Sequence, residues 1–238
     1  MKIKGIIFDK DGTLLDFNKM WLGATKHVLA GFCDRNKIPV TEERMEGLLR
    51  LLGIEDDRIL QQGPLASMTY SQMGEVLATN LQGFSVSAKE SGAQLVELYE
   101  EYFRKYELCC QPTCEVKEVL KKLRHKGMKL GLATADNKHV AEKCLDALGI
   151  KGFFDYLGCD DGATRPKPDP EMFVRFCSEM NLIPEEVAMV GDTVNDMHFA
   201  KNAGGLAVGV LCGLAGRKEL EPVADVIIDN PEALLATF

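Results

Sequence analysis

The sequence predicts an α/β protein, with a mostly parallel sheet and an all-helical segment inserted after the first strand. Three observations support this prediction. A short apolar run near the N-terminus stops at a polar turn, which is typical of a buried strand in a parallel sheet. Residues 18–107 show only helical patterns. From residue 112 onward, apolar runs alternate with helical patterns, as in parallel sheets with right-handed crossovers.

The first strand is predicted over residues 3–8 and ends at Asp9, Asp11 and Gly12. Ligands bind beyond the carboxyl ends of strands in such sheets, so we expect both carboxylates to lie where chemistry takes place. The first could attack a phosphorus atom, while the second could give a proton to the leaving oxygen and then take one from water. Attack on a phosphate dianion requires neutralised charge, which indicates Mg²⁺ held by oxygen ligands.

Gly12 lets the backbone turn closely, so that nearby N–H groups can face a phosphate group. The alternative interpretation of this stretch is a solvated acidic loop after an ordinary strand.

Composition and charge exclude several classes of partner. The chain has 238 residues and a net charge of −8, which argues against nucleic acid or an anionic membrane as the main partner. No uncharged apolar run is long enough to span a bilayer. Because the chain enters a strand at once, we expect no signal peptide.

The eight cysteines are scattered, with neither a C-x-x-C motif nor the Cys/His spacing of a zinc site. Although Cys109, Cys110 and Cys114 lie close together in sequence, we interpret the cysteines as reduced residues with packing roles. This pattern predicts a reducing, cytoplasmic location.

The inserted segment contains four helical patterns and is close in size to a small helical domain. The first pattern includes Trp21, which we assign to the helix core. The second begins near Thr41, a good capping residue, and stops at Gly53. The third and fourth patterns cover residues 67–81 and 88–106.

The rest of the chain is predicted to form alternating elements. They are a helix over 115–126 that ends at Gly127, a strand over 128–133, a helix over 138–148, a strand over 153–157, a loop over 160–170, a helix over 170–180, a strand over 187–190, a helix to about 202, and strands over 206–210 and 224–228.

Two further polar segments carry groups that could bind phosphate. Thr134 ends the second strand, and its hydroxyl, with the N–H groups of Ala135 and its neighbours, could hold phosphoryl oxygens. The alternative role for this threonine is a helix cap. Lys167 lies between Pro166 and Pro168, which stiffen the loop, so its charge could neutralise a nucleophilic carboxylate and a transferring phosphoryl group. The alternative is a solvated loop lysine.

The last polar turn holds Asp192 and Asp196 after an apolar strand. Their spacing brings both carboxylates to one side of a loop and first helical turn. Asp192 could coordinate Mg²⁺ directly, with Asp196 acting through water or orienting the other ligands. The alternative is helix capping by acidic residues near a helix N-terminus.

The four segments FDKDGTLLD, TADN, RPKPDP and GDTVND occur on successive strand ends or loops in an order that resembles the four-motif signature of the haloacid dehalogenase superfamily. The resemblance covers residues 1–16 and about 112–238. It implies a Rossmann-like catalytic core over 1–17 and 111–238, and a helical cap domain over 18–110, as in phosphoglycolate phosphatase and β-phosphoglucomutase relatives.

The resemblance also implies a role for each matching residue. Asp9 corresponds to the nucleophile and a metal ligand. Asp11 corresponds to the general acid/base and supplies a backbone carbonyl to the metal. Thr134 and Lys167 correspond to phosphoryl-binding groups. A separate pair, Asp192 and Asp196, corresponds to a metal ligand and its support.

Two residues depart from the family pattern. Lys10 replaces the usual apolar residue between the two aspartates, and either points away from the site or alters its local field. The second motif reads TADN, where an asparagine soon after the Thr or Ser is more common.

The resulting prediction is a Mg²⁺-dependent phosphatase acting on a small phosphorylated metabolite, of which a phosphoglycolate-like monoester is the first candidate. A phosphomutase of the β-phosphoglucomutase type is the alternative within enzymes. A receiver-like signalling module is more remote, because Asp11 and the insert argue against it. A non-catalytic binding protein is also more remote, because all six site residues are retained. The sequence leaves open whether the protein is a monomer or a homodimer.

Overall fold

The computed structural model describes residues 2–81, 83–84, 86–106 and 110–238. The sequence-based assignments of Glu107 and Cys109 lie outside these residues. The chain divides into two compact units, one formed by Met1–Phe17 with Cys110–Phe238 and the other by Asn18–Cys109. Within the described residues, no helix combines the length and apolar character needed to cross a membrane.

The elements of the described chain are numbered here in chain order. The strands are β1 (Gly5–Phe8), β2 (Ile54–Glu55), β3 (Arg58–Ile59), β4 (Lys129–Asn137), β5 (Tyr156–Asp160), β6 (Val187–Gly191), β7 (Leu206–Val210) and β8 (Val226–Ile228). The helices are α1 (Phe17–Arg35), α2 (Glu42–Leu51), α3 (Pro64–Ser67), α4 (Tyr70–Asn80), α5 (Ala88–Lys105), α6 (Val116–His125), α7 (Lys138–Ala147), α8 (Glu171–Met180), α9 (Val194–Ala203), α10 (Arg217–Leu220) and α11 (Leu234–Thr237). Short 3₁₀ helices occur at Lys151–Phe153, Pro184–Glu186 and Pro231–Ala233.

The first unit contains a six-stranded sheet in the order β5-β4-β1-β6-β7-β8. Its described strand pairs are all parallel, which confirms the predicted α/β class. In the central strand, Phe8 pairs with Leu132 on one side and Val190 on the other. Because these residues are in register, the polar segments that follow β1, β4 and β6 emerge at the same edge of the sheet.

The two faces of the sheet carry separate apolar cores, because successive side chains of a strand point in opposite directions. Ile6 and Phe8 join a cluster with Leu120 of α6 and other buried residues. Ile7 joins the cluster on the other face, with Phe173 and Phe176 of α8 among its members. Burial on both faces explains why these strands are continuously apolar in sequence.

Several strand boundaries differ from the prediction, and the largest differences are in β4 and β5. The predicted strand over 128–133 continues as β4 to Asn137, through a register shift between Ala133 and Asn137, because Asn137 resumes the pairing with β5 at Asp160. The predicted strand over 153–157 begins only at Tyr156. Residues Lys151–Phe153 form a 3₁₀ helix instead, from which Phe153 packs against the core.

The second unit is helical, with the predicted core and caps. Thr41 caps α2 by accepting a hydrogen bond from the backbone N–H of Arg44 at 3.2 Å. Trp21 is buried, with its ring centroid 5.5 Å from that of Tyr99 and 5.4 Å from that of Phe103, so its assignment to the helix core is confirmed.

The helical prediction for this unit was wrong in two details. The helix expected over 67–81 is split into α3 and α4, because Thr69 starts α4 with a capping box. An antiparallel hairpin of β2 and β3 was not predicted. Its strands have two residues each, too few to show alternation, and its turn places Asp56 and Asp57 at φ of 47° and 59°.

The segments through which the chain leaves and re-enters the first unit lie side by side. The N–H of Asp16 donates to the carbonyl of Gln111 at 2.8 Å, and the N–H of Thr113 donates to the carbonyl of Leu14 at 3.1 Å. The Thr113 hydroxyl also donates to the carbonyl of Thr13 at 2.6 Å. The two connections are therefore held together within the first unit.

Candidate active site

Lys167 joins two of the predicted site carboxylates. Its Nζ atom lies 2.6 Å from Oδ1 of Asp9 and 2.6 Å from Oδ1 of Asp196. Asp9 directly follows β1, and its N–H donates to the carbonyl of Val190 on β6 at 2.9 Å, which continues the sheet pairing. The Lys167 side chain is only 10% exposed, so the alternative of a solvated loop lysine is excluded.

Asp192 follows β6 and is held on both carboxylate oxygens. The N–H of Leu214 donates to Oδ2 at 2.7 Å, and the Thr13 hydroxyl donates to Oδ1 at 3.3 Å. A Cβ atom on Gly12 would lie 2.2 Å from Oδ2, and one on Gly213 would lie 2.1 Å from it. Only glycine fits at these two positions while Asp192 keeps its place.

Asp196 supports the site from the first turn of α9. Its Oδ1 atom accepts from Lys167, while Oδ2 accepts from the N–H of Thr193 at 3.0 Å and its hydroxyl at 2.6 Å. The Thr193 hydroxyl accepts in return from the N–H of Asp196, which completes a capping box. Asp196 therefore caps a helix, as the alternative interpretation stated, and also positions Lys167.

The donor set fits a hard divalent cation. Asp9, Asp192 and Asp196 are all buried, and each can offer one oxygen within 4.8 Å of the others. Burial raises the pKa of Asp9 to about 7, although Lys167 opposes the shift, and burial also raises the pKa of Asp192. Three buried carboxylates against one ammonium leave excess negative charge, and carboxylate oxygens are the ligands that Mg²⁺ prefers.

Asp11 lies in a different set of contacts, around Lys10. The Nζ atom of Lys10 is 2.7 Å from each carboxylate oxygen of Asp11 and 3.0 Å from Oδ2 of Asp136, which belongs to the end of β4. Burial lowers the pKa of Lys10, but the two carboxylates outweigh it and hold that pKa well above its usual value. Of the two alternatives for Lys10, the structure favours an effect on the local field.

The predicted phosphate-binding residues of the second motif lie at the end of β4. Thr134 is buried, and its Oγ1 atom accepts from the N–H of Asp136 at 3.2 Å. The residue that caps α7 is Asn137, whose side chain accepts from the N–H of Val140 at 3.0 Å, so the capping alternative for Thr134 is wrong. Ala135, which lies between Thr134 and Asn137 in the chain, is exposed.

Sequence reasoning missed two parts of this arrangement. It did not assign a partner to Lys10, although the unusual lysine and the aspartate of TADN were both noted. It also missed Gly213 and Leu214, which hold Asp192 from the loop after β7. In the sequence, the only signal for this loop is Gly213, which comes soon after the apolar run of β7.

The chain is also similar to known proteins over most of its length. Residues 3–204 match the model of a family described as haloacid dehalogenase-like hydrolase. The chain is 26% identical over 238 residues to the N-acetylmuramic acid 6-phosphate phosphatase of Pseudomonas aeruginosa, covering 99% of this chain and 94% of that protein. It is 27% identical over 220 residues to the pyrophosphatase PpaX of Bacillus velezensis, covering 92% and 88%.

The fold is also similar to that of a solved structure. A predicted phosphoglycolate phosphatase from Haemophilus somnus superposes with a TM-score of 0.75 at 22% identity, covering 100% of this chain and 98% of the other.

Proposed function

Because the chain belongs to the haloacid dehalogenase-like hydrolase family, we propose that this enzyme is a Mg²⁺-dependent phosphatase acting through an aspartyl-phosphate. The proposed substrate is a small phosphorylated metabolite, with a phosphoglycolate-like monoester as the first candidate. One observation carries the proposal. Asp9 is a buried carboxylate at the end of the central strand, with the Lys167 ammonium 2.6 Å from its Oδ1 atom.

In the first step, a carboxylate oxygen of Asp9 forms a bond to phosphorus while the bond from phosphorus to the ester oxygen breaks. The leaving oxygen takes a proton from Asp11. Lys167 neutralises negative charge on the transferring group, and the Thr134 hydroxyl and the N–H groups near Gly12 and Ala135 hold its oxygens.

In the second step, water attacks the phosphorus of the aspartyl-phosphate and gives a proton to the Asp11 carboxylate. The bond between phosphorus and the Asp9 oxygen breaks. Inorganic phosphate leaves, Asp9 returns to its carboxylate form and Asp11 is again protonated for the next cycle. Asp9 thus acts as the nucleophile, and Asp11 gives a proton in the first step and takes one in the second.

Asp9, Asp192 and the backbone carbonyl of Asp11 would hold Mg²⁺, with Asp196 in support. The ion would neutralise charge on the carboxylates and on the phosphate. Asp196 is proposed to act indirectly, because both of its oxygens already accept hydrogen bonds from Lys167 and Thr193.

We propose that the helical insert, residues 18–110, acts as a cap that recognises the rest of the substrate. Its residues carry no motif that identifies a metabolite. The cytoplasmic location and the monomeric or dimeric state stay predictions.

A panel of small phosphorylated metabolites tests the proposal through release of inorganic phosphate with and without MgCl₂. Hydroxylamine trapping of a phosphorylated protein, absent in Asp9→Asn, would support the intermediate. Conversion of a sugar phosphate to its isomer without phosphate release would favour the phosphomutase alternative. Full activity of Asp9→Asn would contradict the mechanism.

A further inference from the structure

Lys10 is a fully buried lysine beside the proposed general acid/base. Its side chain is 0% exposed, and its Nζ atom contacts Asp11 at 2.7 Å and Asp136 at 3.0 Å, with Sγ of Cys144 at 3.8 Å. A buried ammonium group is costly unless carboxylates or other acceptors surround it. The position of Nζ is therefore determined by contacts from three elements, namely the turn after β1, the end of β4 and helix α7.

The site contains the same arrangement twice. Lys167 bridges Asp9 and Asp196, while Lys10 bridges Asp11 and Asp136. Each carboxylate of the D-x-D motif thus has its own lysine, and a second aspartate holds each lysine, Asp196 from the first turn of α9 and Asp136 from the end of β4. The two lysines separate the surroundings of the proposed nucleophile from those of the proposed acid/base.

The two departures from the family pattern are therefore partners of one another. Lys10 introduces a buried positive charge, and Asp136 supplies a second carboxylate for it, so Asp11 is not the sole counter-ion. The Asp11 side chain is 14% exposed, and Lys10 contacts both of its carboxylate oxygens at 2.7 Å, a two-point contact that restrains the carboxylate. General acid/base catalysis requires a carboxyl group within hydrogen-bond reach of the proton that it transfers.

We propose that Lys10 and Asp136 form a positioning pair for Asp11, in which Asp136 anchors the lysine and the lysine holds the Asp11 carboxylate at the reacting ester oxygen. This inference rests on the proposed phosphatase function. It makes both members positioning residues, because they act through Asp11 and not on the substrate.

The test compares two phosphate esters in the full-length enzyme. An alkyl phosphate has a poor leaving group and depends on proton donation, whereas nitrophenyl phosphate depends on it little. The double variant Lys10→Met/Asp136→Asn removes the ammonium group and its anchoring carboxylate together. Neither position then keeps a buried charge that has lost the other as its partner. We expect kcat for the alkyl ester to fall by roughly 10- to 100-fold, kcat for the nitrophenyl ester by less than about 3-fold, and KM to stay nearly constant.

The same change in an Asp11→Asn background shows whether the pair acts through Asp11. There we expect no further loss on either ester, because Asp11 no longer transfers a proton. Lys151→Met/Asp146→Asn is the matched control, since it removes an exposed pair at 3.4 Å at the far end of α7 within the first unit and should leave both rates unchanged. If the double variant does not fold by circular dichroism, Asp136→Asn alone should still lower the alkyl rate selectively, by roughly 3- to 10-fold.

Equal losses on both esters, or a full loss that persists in the Asp11→Asn background, would overturn the positioning role and leave a structural ion pair. Wild-type rates in the variants would also overturn it. A wild-type enzyme that released no phosphate from either ester or from the metabolite panel would overturn the proposed function, and this inference with it.

Discussion

The ammonium group of Lys167 lies 2.6 Å from Oδ1 of Asp9, although the two residues are far apart in the chain. Lys167 reaches Asp9 from the loop between β5 and α8, and Asp196 holds it from the other side. This contact places one fixed positive charge against the proposed nucleophile, where a phosphoryl group would also carry negative charge.

Replacement of the proposed nucleophile should abolish turnover. In Asp9→Asn the amide cannot attack phosphorus, so phosphate release should fall by more than about 10³-fold while circular dichroism shows a native spectrum. Asp146→Asn, an exposed aspartate near the end of α7, is the control and should retain full activity. Turnover by Asp9→Asn near the wild-type rate would assign the reaction to another residue.

Removal of the bridging ammonium should reduce both stability and activity. Lys167→Met leaves Asp9 and Asp196 without the buried cation between them, so we expect the free energy of unfolding to fall by about 3 kcal/mol in metal-free buffer. Phosphate release should fall by about 10²-fold or more. Urea denaturation measures the first effect. Lys121→Met, at an exposed ion pair on α6, should change neither, and an unchanged unfolding midpoint in Lys167→Met would show that the contact contributes no stability.

Binding of Mg²⁺ should stabilise the wild-type protein. At a concentration about 100 times its Kd, the ion should add about 2.7 kcal/mol, or roughly 5–10 °C in Tm for a chain of this size. Asp192→Asn should remove most of this shift, because it takes away one of the three clustered carboxylates. Differential scanning fluorimetry with MgCl₂ and with EDTA provides the measurement, and an equal Mg²⁺ shift in Asp192→Asn would exclude Asp192 as a ligand.

A methyl group on Gly213 should displace Asp192. The added Cβ would lie 2.1 Å from Oδ2 of Asp192, so the carboxylate must move or the loop must open. We expect Gly213→Ala to weaken Mg²⁺ activation by roughly 10- to 100-fold, as for other groups that orient metal ligands. Titration of activity with MgCl₂ measures this effect.

The control for that substitution is Gly47→Ala, where the new Cβ meets no atom within 4 Å. It lies inside helix α2, where alanine is the better helix former, so stability should rise by up to about 1 kcal/mol with an unchanged Mg²⁺ requirement. An unaltered Mg²⁺ requirement in Gly213→Ala would show that the loop does not position Asp192.

Replacement of residues 18–110 by a short linker should affect a natural substrate more than an artificial one. If the insert recognises the metabolite, kcat/KM should fall far more for the preferred metabolite than for nitrophenyl phosphate, because only the former loses specific contacts. Circular dichroism must first show an intact core. Equal losses on both substrates would leave the insert without a role in recognition.

The alternation of apolar strands and helices determined the fold class, because burial on both faces of a parallel sheet requires continuous apolar runs. The match over residues 3–204 confirmed the family that the order of the four motifs indicated. Both results depend on local pattern and on motif order, which a single sequence displays directly. The same reasoning located the strand ends at Asp9 and Asp192, whereas β4 runs past Thr134 to Asn137.

Contacts between residues far apart in the chain could not be predicted in this way. The sequence showed that Lys10 and Asp136 were each unusual, but only the register of β4 against β1 brings the lysine within 3.0 Å of that carboxylate. In the same way, only the folding of the loop after β7 places the N–H of Leu214 at 2.7 Å from Asp192. A side chain's residue type determines which partners it needs when buried, whereas the packing of strands and loops decides which partner it finds.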